Sequence, residues 1–113
     1  QQQVKAALDD AGERQLVVYV GATWCEPCRR FHDAVVAGQL DDALSGVRFL
    51  EFDHDVHQEG LKAAGYVKRF VPLFAIPNPD GTASERVHQG AIKGAGAVDF
   101  ILPRLRSLLT QAP

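Results

Sequence analysis

The chain holds two cysteines, Cys25 and Cys28, with two residues between them. That spacing constrains how the chain can hold itself together. A bridge between them closes a very small loop, worth only about 2 kcal/mol by chain-entropy reasoning before any strain is subtracted. Disulfide stapling of the kind small secreted domains use is therefore excluded, and the fold must rest on an apolar core. The 113 residues suffice: a chain of this length buries roughly two-thirds of its unfolded surface. With 46% apolar and 23% charged residues the composition is that of a globular protein, and one domain over residues 1–113 is expected.

The net charge of −2 gives no basic footprint, so nucleic acid is not expected as a partner. No apolar run approaches the roughly 18 residues of a membrane span. The longest, Leu16 to Val20 and Val71 to Ile76, are strand-sized. Residues 1–56 carry 5 Lys/Arg against 10 Asp/Glu, and residues 57–113 carry 7 against 4, a spread-out imbalance that reads as solvated faces. The chain contains no methionine and starts Gln1-Gln2-Gln3, without the charged and apolar regions of a signal peptide. It is expected to be a processed product or an excised domain.

Periodicity supplies the elements. Val4, Ala7, Leu8 and Ala11 recur at helical spacing up to Gly12, predicting a helix over 3–11. Leu16 to Val20 is a continuous β-branched and aromatic run, as in a strand buried on both faces. Pro27 suits the first turn of a second helix, whose apolar face is Cys28, Phe31, Ala34 and Val35 and which ends near Gly38. A helical turn at Asp41–Leu44 precedes a strand from Val47 to Phe52. Asp55 is the expected N-cap of a helix through Ala64, with Gly65 as its stop. Val71 to Ile76 predicts a third strand, interrupted by Pro72. Asn78-Pro79-Asp80-Gly81 has hairpin chemistry, with Ser84 to Gln89 pairing back. Val98, Ile101, Leu102, Leu105, Leu108 and Leu109 predict a closing amphipathic helix, which Pro103 kinks or starts. The order α-β-α-β-α-β-β-α predicts a three-layer α/β domain with a mixed sheet.

The chemistry is concentrated where the first strand gives way to a helix, at Trp24-Cys25-Glu26-Pro27-Cys28. A cysteine at a helix N-terminus meets unsatisfied N–H groups and the positive end of the macrodipole, which raises its thiolate fraction. Only the thiolate attacks a disulfide. The second cysteine, one turn further in, is placed to attack the mixed disulfide formed by the first, and Pro27 stiffens the turn. Glu26 beside Cys25 disfavours the thiolate, while Arg29 and Arg30 act in the opposite sense if either reaches back.

This segment resembles the active site of the thioredoxin superfamily, and the element order is similar over nearly the whole chain. Within that superfamily, Trp-Cys-x-x-Cys-Arg-Arg-Phe most resembles the thioredoxin-like domains of bacterial thiol:disulfide interchange proteins. The resemblance implies a thioredoxin fold, a three-layer αβα sandwich around a mixed sheet. It implies a cis-proline facing the cysteines, at Val71-Pro72, where a proline at the start of an inner strand is otherwise out of place. It also implies that Val71 offers its backbone to a substrate peptide and that Trp24 is a partly exposed platform beside the thiols. The implied activity is protein disulfide reduction or exchange through Cys25 and Cys28, with no cofactor, an upstream thiol reductant and a monomeric protein. Glu26-Pro27 is more like the pair in reducing thioredoxins than that of strong oxidants. The implied setting is extracytoplasmic, periplasmic and optionally membrane-tethered, with the cytoplasm as the alternative.

One departure stands out. Many thioredoxins carry a buried aspartate in the strand before the motif, and Tyr19 stands there in this chain. Tyrosine titrates near 10 and is a poor base at neutral pH. Glu51, on the second strand, substitutes only if it points beneath Cys28; otherwise it is solvated or paired with an arginine. Two other readings stay open. One is a thioredoxin-fold binding module with incidental redox activity. The other is a metal site at Cys25, Cys28 and His32, for which the chain offers no second cysteine pair. His32, His54, His57 and His88 are otherwise expected to be exposed or hydrogen-bonded.

Overall fold

A computed structural model describes residues 1–67 and 70–110. The elements follow the expected order: α1 (Gln2–Ala11), β1 (Gln15–Gly21), α2 (Glu26–Val36), β2 (Val47–Asp53), α3 (Gln58–Ala64), β3 (Leu73–Pro77), β4 (Ala83–Gln89) and α4 (Ala97–Thr110). The strands form a mixed sheet in the order β2-β1-β3-β4. β1 runs parallel to β2, with Tyr19 opposite Glu51, and antiparallel to β3, with Tyr19 opposite Phe74. β3 and β4 are antiparallel, as the hairpin at Asn78–Gly81 requires.

The unbroken apolar run of β1 has a simple cause. Alternate side chains along a strand point to opposite faces, and both faces of this one are covered. Leu16, Val18 and Val20 pack on one side with Val4, Ala7 and Ala11 of α1 and Leu61 and Ala64 of α3. Val17 and Tyr19 pack on the other with Phe31 and Ala34 of α2 and Ile101, Leu105 and Leu108 of α4. The result is an αβα sandwich around a mixed sheet. At the centre of the second face lies an aromatic cluster. The Phe31 ring is fully buried and lies 5.4 Å from Tyr19, 4.9 Å from Phe74 and 5.7 Å from Phe49, edge to face with each. These contacts fix α2, and with it the cysteines, against the sheet.

Three boundaries differ from expectation, each for a local reason. α3 begins at Gln58 rather than after Asp55. Asp53, at the end of β2, accepts the backbone N–H groups of Asp55 and Val56 at 2.8 and 3.0 Å, so the chain turns before it coils. β3 begins at Leu73, leaving Val71 and Pro72 outside the strand, joined by a cis peptide bond. α2 stops at Val36, where the N–H of Ala37 returns to the carbonyl of Asp33. Gly65 caps α3 in the left-handed conformation, φ 89°, as its position suggests. α4 runs through Pro103 on its exposed side, and Arg86 of β4 donates to the Leu108 and Leu109 carbonyls at its end.

Phe31→Ala should destabilise the protein by about 3–5 kcal/mol, because it empties the centre of the aromatic cluster. Urea unfolding would register this as a lower midpoint with little change in slope. A midpoint within error of wild type would mean that Phe31 does not anchor α2.

Candidate active site

β1 ends at Gly21, and the chain crosses from the sheet to α2 in four residues. Gly21 keeps this passage uncrowded: a Cβ would sit 3.3 Å from the Cβ of Cys28, a tight contact, and 3.5 Å from the Tyr19 ring. Cys25 is the N-cap of α2, extended at φ −93°, ψ 110°, and its Sγ accepts the Cys28 backbone N–H at 3.3 Å. Sulfur thus takes the place an oxygen usually fills in capping. The backbone closes the turn, with Cys25 N–H donating to Ala22 and Arg29 N–H donating to Cys25. Cys25 and Cys28 form a disulfide with Cα atoms 5.3 Å apart, and both are buried. Pro27 sits in the first turn, as expected.

Val71 and Pro72 close the other side of the site. The Val71 carbonyl oxygen lies 3.9 Å from Cys25 Sγ. In the dithiol form the Cys25 S–H is placed to donate to it. The Pro72 carbonyl accepts the Gly90 N–H at 2.8 Å, tying this segment to the end of β4. Ala22, Cys25, Cys28 and Val71 form a small apolar cluster of their own at the end of the sheet. Trp24 is 65% exposed beside it, and its indole N–H donates to Asp55 Oδ2 at 2.8 Å. Asp55 also contacts His54 Nδ1 at 3.2 Å. These hydrogen bonds, His54 first and Trp24 second, hold the Asp55 carboxyl below its ordinary value. The residue expected to cap α3 instead anchors the tryptophan, and no pattern along the chain links positions 24 and 55.

Glu26 turns away from Cys25. Its carboxylate accepts the backbone N–H of Gly94, in the loop after β4, and the Arg30 guanidinium at 3.3 Å. The Gly94 bond is the main reason its carboxyl titrates below the usual range, with Arg30 and Arg29 contributing less. Arg30 therefore reaches back to Glu26, not to the sulfur.

Beneath the pair, the Tyr19 hydroxyl donates to the Cys28 carbonyl at 2.6 Å. Burial, reinforced by Glu51 and Asp33, pushes the phenol up from its ordinary value, so it stays protonated and serves as a donor. Glu51 is not a buried acid beneath Cys28, and its partner is not an arginine. It is 41% exposed and binds His32 Nδ1 at 2.6 Å, across a cleft whose wall includes Cys28. The other histidines are also hydrogen-bonded: His54 to Asp55, His57 to the Asp53 N–H and His88 to the Gly90 carbonyl. Among the described residues no three His, Cys, Asp or Glu side chains converge as a metal set, so Cys25, Cys28 and His32 do not form one.

Fold and site together define a class, the α/β sandwich with a vicinal cysteine bridge capping a helix at the end of its central sheet. No protein-family model matches the chain. Human thioredoxin is 42% identical over 57 aligned residues, covering 47% of this chain and 49% of that protein, and bovine thioredoxin matches equally. The match therefore spans about half the length of these relatives. Among solved structures, Fasciola hepatica thioredoxin superposes with a TM-score of 0.65 at 23% identity, covering 96% of this chain and 90% of that one. The Drosophila melanogaster thioredoxin Deadhead gives 0.57 at 21% identity, covering 96% and 93%. The chain has the thioredoxin fold.

Because the Asp55 carboxyl is held low, it remains an anion and an acceptor for Trp24 as the solution is acidified to the ordinary Asp value, about 3.9. Any stability the bond contributes is complete above that value and lost as pH falls through the lower folded value. The chain has one tryptophan, so its fluorescence should show an acid transition below about pH 4. Asp55→Asn should abolish that transition, and its persistence in the variant would dissociate Trp24 from Asp55.

Proposed function

We propose that the protein is a thiol–disulfide oxidoreductase acting on protein disulfides, a single thioredoxin-like domain in which Cys25 is the attacking sulfur and Cys28 the resolving one. The observation that supports this most directly is the Cys28 N–H donated to Cys25 Sγ at the N-terminus of α2. The same bond and the helix dipole stabilise a thiolate at that sulfur once the bridge is reduced.

The cycle starts from the dithiol. The Cys25 thiolate attacks one sulfur of a substrate disulfide, the other substrate sulfur leaves as a thiolate, and a mixed disulfide results. Cys28 loses its proton and attacks Cys25 Sγ. The Cys25–Cys28 bridge forms, the second substrate sulfur leaves as a thiolate, and each thiolate takes a proton. Two electrons have moved from protein to substrate. An upstream thiol reductant then returns the bridge to the dithiol. No cofactor enters, because sulfur carries the electrons.

Trp24, Val71 and Pro72 are proposed to hold the substrate chain. The indole is exposed and precedes Cys25 in the chain, and the Val71 carbonyl lies 3.9 Å from Cys25 Sγ. Backbone recognition of this kind selects for extended chain rather than for particular side chains. The protein is proposed to act as a monomer. An extracytoplasmic setting rests on the sequence likeness to bacterial interchange-protein domains alone. The matched vertebrate thioredoxins give it no support, and no helix among the described residues is long and apolar enough to cross a membrane.

Cys25→Ser should reduce turnover of a protein disulfide such as insulin's to background. Cys28→Ser should accumulate a substrate joined to Cys25, visible on a non-reducing gel. Turnover retained by the first variant, or no trapped species with the second, would defeat the assignment; exchange far slower than substrate binding would favour a binding module. Glu26-Pro27 is more like the pair of reducing thioredoxins than that of strong oxidants, and a less stabilised thiolate makes a weaker oxidant. Equilibration with glutathione should therefore give a potential well below the roughly −120 mV of strong oxidants.

A further inference from the structure

The exchange cycle leaves one group unassigned: whatever takes the proton from Cys28. The resolving cysteine is 3% exposed, so its thiol meets bulk water poorly, and a buried thiol in apolar surroundings resists ionisation. Tyr19, the residue bonded to its carbonyl, is held protonated and accepts no proton at neutral pH.

Cys28 does, however, line a cleft of about 270 Å³ between α2 and the edge strand β2. His32 follows Cys28 by four residues on α2, on the same helix face, and lines that cleft as well. Glu51 reaches across from β2 and engages His32 Nδ1 at 2.6 Å. With Glu51 ionised, Nδ1 carries the hydrogen, which leaves Nε2 as a free acceptor. The arrangement has the parts expected of an activated nucleophile: a sulfur, a base one turn away, and a third group fixing the base's tautomer.

We propose that His32, oriented by Glu51, is the proton acceptor for Cys28 in the resolving step. This role presupposes the exchange chemistry proposed above. The Cys28 S–H proton passes through water in the cleft to His32 Nε2, and the sulfur pair so freed attacks Cys25 Sγ. The bond from Cys25 to the substrate sulfur breaks, and the departing thiolate takes a proton from the imidazolium or from solvent. The cleft is wide enough for water, which needs about 30 Å³ per molecule as liquid. The remaining charged groups on its wall are Arg29 and Asp33 of α2 and Asp53 of β2, with neutral Tyr19 from β1. Glu51 and the two aspartates are negative and Arg29 positive, so the imidazolium forms in surroundings that are negative on balance. A surface contact of this exposure adds little to stability. Its placement against the resolving cysteine is what gives it a use.

Two measurements test the proposal, and they fail separately from the exchange assignment. The first needs no turnover. In Cys25→Ser, Cys28 is the sole thiol, and its ionisation is followed by thiolate absorbance near 240 nm. Proton transfer to His32 leaves a thiolate beside an imidazolium near neutral pH, so His32→Gln in that background should lower the thiolate absorbance on the limb of the titration around pH 6–7. The second is the pH profile of insulin reduction. His32→Gln should slow the reaction about tenfold near pH 7, below the usual contribution of a positioned acid–base group because the half-exposed imidazole competes with solvent. The loss should shrink as pH rises above about 9, where hydroxide competes with the imidazole for the thiol proton. Glu51→Gln should give a smaller loss of the same shape. Coincident thiol titrations, or a His32→Gln profile parallel to wild type at every pH, would overturn the role of His32 while leaving the cysteine relay intact. An inactive wild type with a displaced titration would instead overturn the relay and keep the His32–Cys28 coupling.

Discussion

The site depends on a single capping interaction, the Cys28 N–H donated to the sulfur of Cys25 where α2 begins. A helix starts with N–H groups that have no partners within it, and ordinary chains satisfy one with a serine or aspartate oxygen. Here a cysteine takes that place, so helix formation and sulfur chemistry use the same atom. Everything around it serves to hold that atom still. β1 is buried on both faces and delivers the chain to the capping position, Gly21 lets Cys28 approach the strand, and Phe31 clamps the helix to the aromatic layer.

Most of the architecture was readable because its signals are local. The β-branched run of β1, the helical spacing of α1 and α4 and the turn chemistry at Asn78–Gly81 each need only a few neighbouring residues to be interpreted. The cysteine pair and Pro27 were readable for the same reason, whereas the cis bond at Val71-Pro72 was expected from the family resemblance. Where expectation and structure part, a competing short-range bond decides. Asp55 looks like a helix cap by position, but Asp53 takes the turn two residues earlier and leaves Asp55 to the indole of Trp24.

The partners of the charged residues were not legible, because they depend on sheet register and helix face together. Glu51 lies opposite Tyr19 only through the β1–β2 pairing, and His32 meets Glu51 only because α2 packs over that edge. Nineteen residues separate the two, and neither carries a pattern that points to the other. Nor does anything near Glu26 indicate Gly94, sixty-eight residues away. The replacement of an acid by Tyr19 was visible in the sequence. That it binds the carbonyl of Cys28, rather than filling space, was not.

The bond from Glu26 to Gly94 joins two properties that protein engineers usually treat apart. The dipeptide within a Cys-x-x-Cys loop is the customary place to adjust how readily the bridge is made or broken. In this chain one member of that dipeptide also moors the loop that follows β4, beside the face where a partner would land. Replacing Glu26 would alter the loop between the sulfurs and release the mooring together, so a change in partner preference would accompany a change in redox poise made at that residue.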